Sequence, residues 1–165
     1  EDEALQVARH PVSLLLYNIR SLYNVGSIFR TSDSALLREL ILCGYTPHPP
    51  RKEIEKTALG AVDTVPWRYY ADTTEAIAAL RAEGYRILAL ELTDVRRNYD
   101  ELTPADYPLC LVLGNEITGV DDEILDLCDG AIQIPMYGVK HSLNVGVAAG
   151  IAVFEAVRTW RQQAG

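Results

Sequence analysis

Apolar positions along the chain follow two rhythms. Short, almost unbroken apolar runs at residues 12–17 and 109–113 predict buried strands. Over residues 25–37, Val25, Ile28, Phe29, Ser32 and Leu36 recur at helical spacing. Further strands are predicted at 39–43, ended by Gly44, and at 64–70, 86–92 and 131–134. Thr46-Pro47-His48-Pro49-Pro50-Arg51-Lys52 reads as a loop, followed by a short helix at 53–59. Asp72 and Glu75 have the residue types of a capping box, opening a helix through Ala82 that Gly84 ends. Thr103-Pro104 reads as an N-cap followed by proline at the first helical position. Residues 121–128 form a predicted helix with an acidic first turn, and residues 144–161 a long closing helix. This alternation predicts an α/β fold, with a mostly parallel sheet flanked by helices. A single domain is expected over residues 1–165, with a short N-terminal segment at 1–12.

The closing helix is unusual in being apolar on nearly every side, from Val145 through Ile151 and Phe154 to Val157. One sheet face cannot cover such a helix. It needs a second burying surface, from another layer of the same chain or from a partner subunit. Gly146 and Gly150 would allow close backbone approach there.

The 165 residues are about one domain's worth, and 48% apolar with 23% charged is ordinary globular usage. No window reaches the ~18 apolar residues of a membrane span, and Glu1-Asp2-Glu3 is not the start of a signal peptide. Cys43, Cys110 and Cys128 lack Cys-x-x-Cys spacing, so a reduced, cytoplasmic protein without structural zinc is expected. Net charge is −8, which does not suggest bulk polyanion binding. The acid is concentrated, however: residues 91–129 hold eleven acidic and two basic side chains, whereas residues 1–60 hold seven of each. A basic face including Arg20, Arg30, Arg38, Arg51, Lys52 and Lys56 is compatible with that distribution, as is an ordinary solvated surface.

Several chemistries are missing. Gly-x-Gly-x-x-Gly does not occur, and Gly114 and Gly119 have P-loop spacing but are followed by Val120-Asp121. Neither His-Glu-x-x-His nor Gly-x-Ser-x-Gly is present, and His10, His48 and His141 are not spaced as ligands. What remains is three polar, glycine-containing segments, two of them directly after apolar strands. The first is Asn18-Ile19-Arg20-Ser21-Leu22-Tyr23-Asn24-Val25-Gly26, running on to Arg30-Thr31. The second is Gly114-Asn115-Glu116-Ile117-Thr118-Gly119-Val120. The third runs from Ile134-Pro135-Met136 to Ser142-Leu143-Asn144-Val145. In open α/β sheets, ligands bind beyond the carboxyl ends of the strands, where such loops lie.

As an ordered trio these segments resemble the three motifs of the SpoU (TrmH-like) family of SPOUT-class RNA ribose 2′-O-methyltransferases. The resemblance covers residues 13–157. It implies a C-terminal deep trefoil knot, a rare exception to unknotted topology. It also implies S-adenosyl-L-methionine as cofactor, tRNA or rRNA as substrate, and a homodimer with the closing helix and the first motif at its interface. No metal and no membrane are implied.

The matched positions carry roles. Arg30 corresponds to the family's catalytic arginine, which helps remove the ribose 2′-hydroxyl proton. Because arginine is almost always protonated, phosphate binding and alkoxide stabilisation are the other reading. Asn24 corresponds to the asparagine that positions the arginine and RNA; on its residue type alone it reads as an N-cap. Glu116 is expected to fix the arginine or an adjacent loop, and Ser142 and Asn144 to orient the ribose or cofactor. Leu90, Leu92, Leu113, Gly114 and Asn115 correspond to the cofactor pocket. So do Ile134, Met136, Ser142, Leu143 and Ala148. Asn18, Arg20, Ser21, Arg30 and Lys140 are the expected RNA contacts. Two other classes stay open at the sequence level: a catalytically silent RNA-binding relative, and an unrelated doubly wound nucleotide-binding domain. Intact Arg30, Glu116, Ser142 and Asn144 argue against the first.

Overall fold

A computed structural model describes residues 8–91, 97–140 and 142–164. Among these residues the strands are β1 (His10–Tyr17), β2 (Leu37–Cys43), β3 (Trp67–Tyr70), β4 (Arg86–Leu90), β5 (Arg97–Asn98), β6 (Leu109–Leu113) and β7 (Gly130–Gln133). The helices are α1 (Leu22–Ser34), α2 (Lys52–Ala58), α3 (Thr73–Ala82), α4 (Asp122–Leu125) and α5 (Val145–Ala164). The strands form one sheet in the order β3-β2-β1-β6-β4-β7-β5, and every paired strand is parallel.

Strand alternation divides the core in two. Val12, Leu14 and Leu16 face α1, α2 and α5 with Phe29, Ile54 and Val153. Leu15 and Tyr17 point the other way, toward α3 and α4 with Ile77, Leu80 and Ile124. β1 and β6, buried on both faces, are therefore continuous apolar runs. Burial pushes the Cys43 thiol up to about 12, Cys128 up to about 11, and Cys110 well above the usual range. Thiols so held are poor nucleophiles at neutral pH. No helix among the described residues is long and apolar enough to cross a membrane.

Several boundaries differ from the sequence expectation. Helix α1 starts at Leu22 because Ser21 caps it, accepting from the Asn24 amide at 3.1 Å. Leu36 turns in the left-handed region (φ 54°), so Leu37 opens β2 instead of closing the helix. Residues 64–66 follow a 3-10 turn, Ala61–Asp63, and β3 begins only at Trp67. Thr103-Pro104 opens a 3-10 turn rather than a helix; its capping box pairs Thr103 with Asp106. Helix α4 is a single turn, and β5 is too short and polar to have been expected. The end of the strand predicted at 86–92 lies outside the described residues.

Gly26 is where α1 and α2 touch. A Cβ there would stand 2.1 Å from Thr57 Oγ1 and 2.2 Å from the Ile54 carbonyl oxygen. Backbone cannot yield as a side chain can, so Gly26→Ala should destabilise the chain by about 1–3 kcal/mol. Chemical denaturation checks this; an unchanged midpoint would contradict the contact.

Candidate active site

The second and third loops, with the end of β4, surround a cavity of about 280 Å³ beyond the carboxyl ends of β4, β6 and β7. That volume lies near the lower end for small-molecule sites. Leu90 closes β4, Leu113 closes β6, and Ile134 follows β7; with Met136, Leu143 and Ala148 they provide apolar wall. Gly114, Asn115 and Ser142 also line the cavity. Leu92 lies outside the described residues. The sequence reading missed Glu91, Ile117, Thr118, Gly119, Gln133 and Val145, which line it too. An acid just past a strand's carboxyl end was the available signal for Glu91.

The second loop is tightly folded. Asn115 and Gly119 exchange backbone hydrogen bonds at 3.0 and 2.9 Å. The Asn115 side-chain oxygen accepts from the amides of Ile117 and Thr118, both at 2.9 Å. Gly119 adopts φ 69°, a conformation that favours glycine. Val120 donates its amide to Glu91 Oε2 at 2.9 Å, tying the loop to the end of β4.

This loop also holds the first one. Glu116 accepts from the amides of Arg20 and Ser21, one to each carboxylate oxygen, both at 3.0 Å. Asn115 Nδ2 donates to the Asn18 carbonyl at 2.8 Å. Of the two tasks expected of Glu116, the contacts are those of fixing the adjacent loop. Charge-assisted hydrogen bonds of this kind contribute about 1.5–3 kcal/mol each. Glu116→Ala should therefore loosen the loop carrying Arg20 and speed amide hydrogen exchange at Arg20 and Ser21 about tenfold or more. Glu116→Gln, which keeps one acceptor, should fall between; exchange in Glu116→Ala equal to that of the unaltered protein would contradict the tether.

Asn24 is the third residue of α1, so the N-cap role read from its residue type belongs to Ser21. Its Oδ1 instead accepts from Asn144 Nδ2 at 3.3 Å, joining the first and third loops. Asn144 Oδ1 meanwhile caps α5, accepting from the amides of Gly146 (2.8 Å) and Val147 (3.3 Å). The helices approach closely here: a Cβ on Gly146 would stand 3.4 Å from Ser27 Oγ. Arg30 projects from α1 as an exposed side chain with no ion pair among the described residues. Arg20, Lys140 and Ser142 are exposed as well. Asn18 Oδ1 is occupied by the Tyr45 amide (3.1 Å) and Ser21 Oγ by its cap, so the oxygens of these two expected RNA contacts already have protein partners. His141 lies outside the described residues.

A parallel α/β sheet with a cleft of apolar and polar residues at its carboxyl edge places the chain among open-sheet α/β proteins, whose ligand sites lie beyond the strand ends. The comparisons narrow the class. Residues 11–154 match the model of the SpoU rRNA Methylase family, and the chain belongs to that family. It is 35% identical over 159 residues to the tRNA (guanosine(18)-2′-O)-methyltransferase of Thermus thermophilus, covering 95% of this chain and 79% of that one. It superposes with TM-score 0.85 on the A. aeolicus TrmH/SpoU tRNA modifying enzyme, at 29% identity, covering 98% of this chain and 81% of the other. An AdoMet-bound rRNA methyltransferase from Sinorhizobium meliloti gives the same TM-score, 0.85, at 30% identity. There the match covers 94% of this chain but only 59% of the longer one.

Proposed function

We propose that this chain is an S-adenosyl-L-methionine-dependent RNA methyltransferase that transfers a methyl group to a ribose 2′-hydroxyl of tRNA or rRNA. One observation carries the reading: a single cavity gathers the second and third loops, and hydrogen bonds from Glu116, Asn115 and Asn144 lock the arginine-bearing first segment to them.

The cavity suits this cofactor chemically. Leu90, Leu113, Ile134 and Leu143 offer an apolar wall for a purine, and the Glu91 carboxylate places negative charge at the lining for a cationic ligand. The cofactor supplies an activated methyl on a sulfonium and its own leaving group. The chain's residues do the rest. The paired loops hold the 2′-oxygen in line with the methyl, which converts a bimolecular encounter into a positioned one. The Arg30 guanidinium stabilises negative charge developing on that oxygen, while the hydroxyl proton leaves to water. Arg20 and Lys140 meet the RNA backbone as exposed cations. Ser142, exposed at the cavity, orients the ribose or the cofactor.

The described residues form one catalytic domain in this reading. Its C-terminal part is threaded as a trefoil knot. Insertion of β6 between β1 and β4, and of β7 between β4 and β5, supports that threading. The catalytic unit is a homodimer. Helix α5 buries Val145, Ala149, Val153 and Ala156 but leaves Val147 (52%), Ile151 (37%) and Phe154 (48%) exposed along one stripe, with Tyr23 of α1 also exposed. A second copy would cover them. Phe154→Glu should turn a sedimenting dimer into monomer; an unaltered protein that is monomeric at high concentration would contradict the assembly.

Titration calorimetry with S-adenosylmethionine and S-adenosylhomocysteine tests the cofactor reading. One molecule of either should bind per chain, and failure of both to bind would reject it.

A further inference from the structure

A strip of aromatic rings continues from the first loop along the carboxyl ends of β2 and β3. Tyr45, just past β2, is 57% exposed, and Tyr69, near the end of β3, is 39% exposed. His48 is exposed between the tight turn at Gly44 and α2. The His48 ring lies 4.8 Å from that of Tyr69 and 5.9 Å from that of Trp67, stacked at 24° on the latter.

These rings are tethered at their edges. Tyr69 donates its hydroxyl to the Gly44 carbonyl at 2.5 Å. The Tyr45 hydroxyl accepts from Asn115 Nδ2 at 2.9 Å, and the Tyr45 amide donates to Asn18 Oδ1 at 3.1 Å. Asn115 lines the cofactor cavity, so the strip begins one side chain away from it. An exposed ring held by its hydroxyl, or by packing on another ring as His48 is, has already lost much of its rotamer freedom. That is what a stacking partner requires, and it removes part of the entropy cost of binding. Cations flank the strip: Lys52 is exposed, and Arg51 is exposed beside Glu53 at 3.8 Å.

We propose that Tyr45, His48 and Tyr69 form a stacking platform for unpaired nucleobases adjacent to the methylated ribose. This rests on the RNA-methyltransferase reading and adds how the substrate is recognised. A ribose whose 2′-oxygen must enter a cleft comes from a loop or single strand, whose splayed bases expose flat faces. Aromatic rings beside cations capture such bases with little dependence on sequence. The platform thereby offsets the acidic character of the chain, whose net charge of −8 gives no net electrostatic attraction for RNA.

The test uses the full chain with S-adenosylhomocysteine, a labelled single-stranded oligouridylate dodecamer, and an abasic phosphodiester of the same length. The unaltered protein should bind the base-bearing strand at least about tenfold more tightly than the abasic one. Tyr45→Leu and Tyr69→Leu should each lose about five- to tenfold, whereas Tyr45→Phe, which keeps the ring and drops the hydroxyl, should retain most of the affinity. In methyl transfer, Tyr69→Leu should raise KM for RNA and leave kcat near its starting value, with its unchanged cofactor affinity as the folding control. Equal binding of both strands, or leucine variants that bind as the unaltered protein does, would overturn the platform. Leucine variants that shift a dimer to monomer without changing the base-to-abasic ratio would overturn it too, assigning the strip to a protein interface. Failure of the chain to bind cofactor would instead sink the underlying reading, since the oligonucleotide comparison does not depend on methyl transfer.

Discussion

Arg30→Ala should lower methyl transfer to RNA by about 10²–10³-fold while leaving cofactor binding unchanged. The magnitude is that of removing one preorganised donor from a developing oxyanion. The separation of the two effects follows from geometry: Arg30 stands on α1 and does not line the cofactor cavity. Stability should move by less than about 0.5 kcal/mol, because the side chain is exposed and makes no ion pair among the described residues. Arg30→Lys should recover part of the activity, since it restores charge but not the planar fork of donors. Single-turnover kinetics with calorimetry reads both quantities. Turnover equal to the unaltered protein would remove Arg30 from the chemistry.

Gly114→Ala should weaken cofactor binding by more than about tenfold. A Cβ at Gly114 would lie 2.3 Å from the Gly119 carbonyl carbon and 2.5 Å from the Val120 amide nitrogen. Both obstacles are backbone, and both belong to the loop that lines the cavity. The loop must therefore move away from β6. Movement there pulls on Glu91 through Val120 and on the first loop through Glu116. Cofactor affinity and methyl transfer should each fall by more than about tenfold, as expected when a packed contact is overfilled by 1–3 kcal/mol. Gly130→Ala is the control: its Cβ would meet only Leu88 Cδ2, at 3.6 Å, an ordinary contact. Unchanged cofactor affinity in Gly114→Ala would contradict the close loop contact.

The strands most visible in the sequence were those buried on both faces. β6 spans Leu109–Leu113, as its apolar run predicts, because no polar alternation blurs such a strand. β5 was invisible: Arg97 and Asn98 have no apolar periodicity and are held by backbone pairing with β7. The helix ends slipped by a few residues where a cap decided them, as Ser21 did for α1. The ordered polar motifs after apolar strands marked where a cavity lies: the described residues expected at the cofactor pocket all line it. Individual roles were less legible. Nothing local in the sequence distinguishes Ser21 from Asn24 as the cap, and the partners of Glu116 lie 95 and 96 residues away. The Tyr45 link to Asn115 spans 70 residues and carries no motif at all. Such contacts arise only once parallel strands bring distant loops to one sheet edge.

The most direct measurement is transfer of a tritiated methyl from S-adenosylmethionine to fractionated tRNA and rRNA, followed by mapping of the labelled nucleotide. Label should appear in one fraction, on a ribose whose 3′ phosphodiester resists alkali. Label confined to a base, or no transfer to any RNA by cofactor-bound protein, would contradict it.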